Sequence, residues 1–124
     1  MATVSAQLND YRQSPRKVRV VARSIKGKKV SDAIIALDFL AKRSASPLAK
    51  LVRSAVANAK NLDINTDELV IKEIRVDGGK ILYRRRSASR GRAPSIRKRT
   101  SHVLVVLEEG VAKVKKVKKE KTTK

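Results

Sequence analysis

Apolar and polar residues alternate without a break through Ala2, Thr3, Val4, Ser5, Ala6, Gln7 and Leu8, the period of a half-buried strand. Ser14 and Pro15 then supply an N-cap and a first helical residue. Val18, Val21, Ala22 and Ile25 recur at i, i+3, i+4, i+7, which is one stripe of a helix, and Gly27 is the expected stop. A second helix is predicted from about residue 31 to about residue 42, with Val30, Ala33, Ile34, Leu37, Leu40 and Ala41 facing inward. Phe39, the one Phe of the chain, is expected to fill the core. Ser46-Pro47 repeats the capping signal for a third helix ending near residue 61. Its inward positions are Leu48, Leu51, Val52, Ala55 and Ala59, and an Ala-rich face of this kind lets helices approach closely. Residues 69–76 read as a strand, and Asp77-Gly78-Gly79 as a turn or bulge. Residues 103–107 are apolar at every position, as for a central strand covered by helices.

Residues 80–99 break this pattern. They join two predicted strands, yet they are too many for an ordinary turn. Nine of the twenty are Lys or Arg and none is Asp or Glu. Unpaired, these charges repel one another, and few large apolar side chains are present to hold the segment on a core. A projecting hairpin neutralised from outside fits better than a floppy surface loop, and a polyanion supplies phosphates along such a length. The small residues, Gly and Pro of positions 87–95 suit a compact bend at its tip. From Lys80 to Gly91 an extended strand reaches about 35 Å at about 3.3 Å per residue. A body of about 100 residues has a radius of gyration of only about 13 Å, so the tip must leave it.

Composition strengthens the polyanion reading. The 124 residues hold 31 basic and 11 acidic side chains, for a net charge of +20. That balance is an electrostatic footprint for nucleic acid. Residues 61–79, with five acidic against two basic, form the one acidic zone and are expected to face away from the polyanion. Around the first helix, Arg16, Lys17, Arg19, Arg23 and Lys26 lie largely off the apolar stripe with almost no acid nearby, as for a phosphate-facing surface. A membrane is the weaker partner: there is no Trp and no apolar run long enough to span. No targeting segment is evident. The chain ends in a lysine-rich tail, expected to be disordered when free. The expected organisation is a single α+β domain over 1–110, with its hairpin at about 78–102 and the tail at 111–124.

Catalytic chemistry is hard to place. There is no Cys and one His. Ser101 beside His102 on a strand points to the opposite face, so the two make no dyad. Asp63, Asn65 and Asp67 resemble the start of a calcium loop, but Glu68 stands where Gly is needed and Ile74 where a bidentate Glu is needed. A polar loop is the expectation. Gly78-Gly79-Lys80 lacks the spacing of a P-loop. No cofactor, metal or small-molecule substrate is expected. A nuclease lacks a candidate acid, base or metal cluster; a DNA-binding architectural protein remains open on composition alone.

Three motifs carry a resemblance to a known family: Ser14-Pro15-Arg16-Lys17, Ser54-Ala55-Val56-Ala57-Asn58-Ala59, and Arg90-Gly91-Arg92-Ala93 followed by Lys98-Arg99-Thr100-Ser101-His102. Over roughly residues 3–108 the chain resembles the bacterial large-subunit ribosomal protein twenty-two family. The resemblance implies three helices packed on a small three-stranded antiparallel sheet, with a long protruding β-hairpin. It implies a cytoplasmic, non-enzymatic constituent of the large ribosomal subunit that binds large-subunit ribosomal RNA and assists assembly. Neighbouring ribosomal proteins and the nascent polypeptide would be its other partners, with macrolides acting nearby. The RNA-binding candidates are Arg12, Arg16, Lys17, Arg19 and Arg23; then Lys80, Arg84, Arg85, Arg86, Arg90, Arg92, Arg97, Lys98 and Arg99; and His102. By matching motif, Ser89, Arg90, Gly91, Arg92 and Ala93 take the role of the tip that lines the peptide exit tunnel.

Overall fold

The computed structural model describes residues 3–109. Ala2 and the lysine tail lie outside them. In chain order the elements are β1 (Thr3–Tyr11), α1 (Pro15–Ile25), α2 (Val30–Phe39), α3 (Ala45–Asn61), β2 (Leu69–Gly78), β3 (Leu82–Arg85), β4 (Ser95–Lys98) and β5 (Ser101–Glu109). The architecture is α+β, as expected. One antiparallel sheet has the order β1-β5-β2, and β3 and β4 form a separate two-stranded ribbon.

The helical stripes fix which face is buried. Val18, Val21, Ala22 and Ile25 of α1 are buried, and so are Leu48, Leu51, Val52, Ala55 and Ala59 of α3. They pack on Val4 and Ala6 of β1, Leu69, Ile71 and Val76 of β2, and Val103, Val105 and Leu107 of β5. Strand β5 is central, but the helices cover only one of its faces. Its burial alternates, with Leu104 and Val106 partly exposed on the far side, so the expectation of cover on both faces is corrected. The outer edge of β2 is closed by the loop after α1. The N–H of Gly27 donates to the carbonyl of Ile71 at 3.1 Å, and the N–H of Ile71 donates to that of Lys28 at 3.0 Å. Gly27 adopts φ +81°, a left-handed conformation that glycine reaches without penalty, and this turns the chain onto that edge.

Four local expectations are corrected. Helix α2 stops at Phe39, because Leu40 is already extended at φ −79°, ψ 125°. Leu40 and Ala41 therefore lie at the surface, and Phe39 is exposed rather than core. Helix α3 starts one residue before Ser46-Pro47, with Ser44 at the cap. Pro47 is tolerated there because first-turn N–H groups have no helical partner to lose. Asp77 and Gly78 form neither turn nor bulge: they pair with His102 and Ser101, and the register shift lies between Ile71 and Glu73. At 63–68, residues Thr66–Glu68 form one 3-10 turn, capped by Asn65 Oδ1, which accepts from the N–H of Asp67 at 3.0 Å.

Candidate nucleic-acid interface

The β3–β4 ribbon prolongs the β2–β5 pair, with an interruption at its root. Beyond β2 and β5, the N–H of Gly79 still donates to the carbonyl of Thr100 at 2.9 Å. The hydroxyl of Thr100, a buried side chain, donates to the carbonyl of Lys80. Pairing then resumes between β3 and β4, from Leu82 opposite Lys98 to Arg85 opposite Ser95. Further out, Arg86 N–H donates to Pro94 O at 3.1 Å and Ala88 N–H to Arg92 O at 2.9 Å. Arg90 (φ 60°, ψ 34°) and Gly91 (φ 71°) are both left-handed and close the bend. Every residue from 83 to 99 is exposed, so Arg84, Arg85, Arg86, Arg90, Arg92, Arg97, Lys98 and Arg99 meet solvent rather than a core.

At the root the hairpin meets the start of α1. The β1–α1 turn is held against β5 by two bonds: Ser101 Oγ donates to Gln13 O at 2.6 Å, and Asp10 N–H donates to His102 Nδ1 at 3.1 Å. His102 is thus fixed to the fold through a nitrogen that carries no proton. Tyr11 donates its hydroxyl to Gln13 Oε1 at 2.7 Å. Burial raises the Tyr11 phenol above its ordinary pKa, and the nearby Arg43 cation opposes this.

These contacts frame a groove of about 940 Å³ lined by Arg12, Gln13, Ser14, Lys17, Arg43, Arg97, Lys98 and Arg99. Six of the eight are cations and none is a carboxylate. Cations collected in a concave wall without counter-charge attract phosphate strongly. A second concavity of about 240 Å³ lies beside α1, lined by Arg19, Ala22, Arg23, Lys26, Ile74, Arg75 and Val76. There Arg19 is partly committed, since its Nε and Nη2 donate to Val76 O. Arg75 contacts Glu73 at 3.2 Å. Arg16 is exposed on the first turn of α1, and Lys80 is exposed at the hairpin root.

Comparison with known proteins gives the family. Residues 6–108 match the family model described as ribosomal protein L22p/L17e. The chain is 52% identical over 99 residues to large ribosomal subunit protein uL22 of Desulfitobacterium hafniense, covering 79% of this chain and 87% of that one. It is 50% identical over 106 residues to the uL22 protein of Christiangramia forsetii, covering 82% and 78%. Against that of Desulfosudis oleivorans it is 45% identical over 113 residues, covering 91% and 99%. The chain belongs to the ribosomal protein L22 family. It is a structural, non-enzymatic protein of the large ribosomal subunit, acting in translation in the cytoplasmic ribosome.

In this chain the fold brings Arg12, Lys17, Arg97, Lys98 and Arg99 into one groove and Arg19 and Arg23 into another. Sequence reasoning missed Arg43 and Arg75. Arg43 follows Lys42 in a connection between two helices, and a basic pair there with no acid beside it was the available signal. Arg75 was hidden by the acidic residues around it, and the structure places it beside the basic face of α1 rather than away from it.

Proposed function

We propose that the protein grips large-subunit ribosomal RNA through the groove at the hairpin root and through the exposed face of α1, and that it assists assembly by doing so. The hairpin enters the RNA, and its tip (Ser89, Arg90, Gly91, Arg92 and Ala93) lines the nascent-peptide exit tunnel. Residues 1–110 act as one RNA-binding domain, and the tail at 111–124 is an auxiliary polybasic anchor. The observation that carries this reading is the groove of six cations and no carboxylate at the base of an exposed basic arm. A globular surface with charges scattered for solubility would interleave acids; this wall has none.

Deleting residues 89–93 tests the tip. The shortened protein is expected to enter ribosomes, because the groove is untouched, and to alter macrolide response or stalling by nascent chains. Blocked incorporation with unchanged tunnel behaviour in the particles that form would make the tip an assembly anchor instead. Co-sedimentation with large subunits in high salt separates this reading from a DNA-packaging role.

A further inference from the structure

Phe39 is the one Phe in the chain, and the fold leaves 85% of it exposed. Ile35, one turn earlier on the same face of α2, is 56% exposed, and Leu40 follows at the surface. Three adjacent apolar side chains in water mark a contact surface more than a stray residue. Their surroundings indicate the kind of partner. From position 35 to 53 the chain carries Lys42, Arg43, Lys50 and Arg53 against a single carboxylate, Asp38. Both oxygens of Asp38 are held by Arg53 Nη2, at 3.1 and 2.9 Å. Positive charge therefore dominates around the patch. Arg43, four residues beyond Phe39, lines the basic groove. Four residues span at most about 14 Å of extended chain, so the patch adjoins the groove.

A second protein would have to bring its own acids to meet these cations as well as an apolar surface for the patch. A nucleotide uses both: a ring face for its base and cations for its phosphate. We propose that Phe39 is a stacking platform for an unpaired base of large-subunit RNA. Ile35 and Leu40 extend the apolar floor, and Lys42 and Arg43 take the flanking phosphates. This rests on the groove being the RNA grip and carries the interface onto the α2–α3 connection.

The chain has no Trp, so Phe39→Trp installs a lone indole, which can be excited apart from the two Tyr. Titration with full-length large-subunit ribosomal RNA is expected to quench it in step with binding, at an affinity close to wild type. Phe39→Ala is expected to bind about 5- to 150-fold more weakly, the range of losing one base–aromatic stack. Its slope of log K against log salt should not change, because stacking releases no counterion. A thermal melt of Phe39→Ala without RNA should match wild type, since the side chain is exposed. An indole that stays unquenched in Phe39→Trp, together with unweakened binding by Phe39→Ala, overturns the proposal; if that alanine variant instead incorporates poorly into subunits, the patch serves a neighbouring protein. Failure of the groove reading is separate: Arg97→Ala would then keep the wild-type salt slope.

Discussion

The guanidinium of Arg19 on α1 donates from Nε and from Nη2 to the carbonyl oxygen of Val76 on β2, at 3.1 and 3.0 Å. Strand β2 is at the edge of its sheet, where a carbonyl turned away from β5 has no ladder partner. Arg19 supplies one, and so ties the helix with the basic face to the strand that runs into the hairpin. The two halves of the interface are held in register by a residue that sequence alone would assign to phosphate.

Arg19→Ala is therefore expected to lower stability as well as RNA affinity. A hydrogen bond with a charged partner is worth about 1.5–3 kcal/mol net, and exposure of Arg19 to solvent brings the expected loss to about 1 kcal/mol. Arg19→Lys keeps the charge but not the two-pronged geometry, so its stability should fall between the two. Urea midpoints of the three proteins test this. An alanine variant as stable as wild type would show the pair to be incidental.

Gly79 and Gly78 are neighbours with different environments. A Cβ on Gly79 would sit 2.6 Å from Thr100 Oγ1 and 3.0 Å from His102 Nε2. Thr100 cannot move freely, because it is buried and its hydroxyl is spent on Lys80. A Cβ on Gly78 would meet only Pro15 Cγ, at 4.0 Å. Gly79→Ala is expected to cost about 1–3 kcal/mol, as overpacking does. Gly78→Ala should be neutral or gain a few tenths of a kcal/mol from a stiffer unfolded chain. Thermal melts of the two variants compare them directly, and equal melting temperatures would contradict the crowding at the root.

What the sequence could convey depended on how sharply polar and apolar positions separate. In α1 they separate cleanly, so the buried Val18, Val21, Ala22 and Ile25 were legible from their spacing alone. In α2, Ile34, Ile35, Leu37, Phe39 and Leu40 are apolar nearly all round. Periodicity cannot choose a face there, and the exposure of Phe39 was hidden. Gly78 misled for another reason: two glycines after Asp look like a turn, but pairing with β5 overrode that local preference. The cations of the hairpin and α1 were legible as charge. That Arg43 joins them was not, because the α2–α3 connection reaches the groove only through tertiary packing.

Arg43 gives the groove a distinctive test. If it meets RNA phosphate, Arg43→Ala should reduce the slope of log K against log salt by about 0.7–0.9, the loss of one phosphate contact. Arg97→Ala should reduce it by the same amount. Lys60, in the last turn of α3 and outside the groove lining, serves as the control, and Lys60→Ala should leave the slope unchanged. Binding measured between about 50 and 200 mM salt separates these outcomes. An Arg43 variant that behaves like the Lys60 variant would remove it from the interface.

The hairpin should be dispensable for folding even though it dominates the surface. None of the core side chains falls within residues 80–99. Ile81 and Leu82 are half-buried at the root, and everything from 83 to 99 is exposed. The outermost pair worth keeping is Leu82 opposite Lys98. Replacing residues 83–97 by Asn-Gly joins that pair through a two-residue turn whose twist suits antiparallel strands. The shortened protein loses six arginines and little buried apolar surface. Its urea transition should stay cooperative, with a steepness near wild type because the slope follows the area exposed on unfolding. Its stability should hold or rise slightly, since removing a cluster of like charges relieves repulsion in the folded chain. RNA affinity should fall sharply, with a shallower salt dependence. A broad, non-cooperative transition would instead mean that the ribbon helps hold β2 and β5 together.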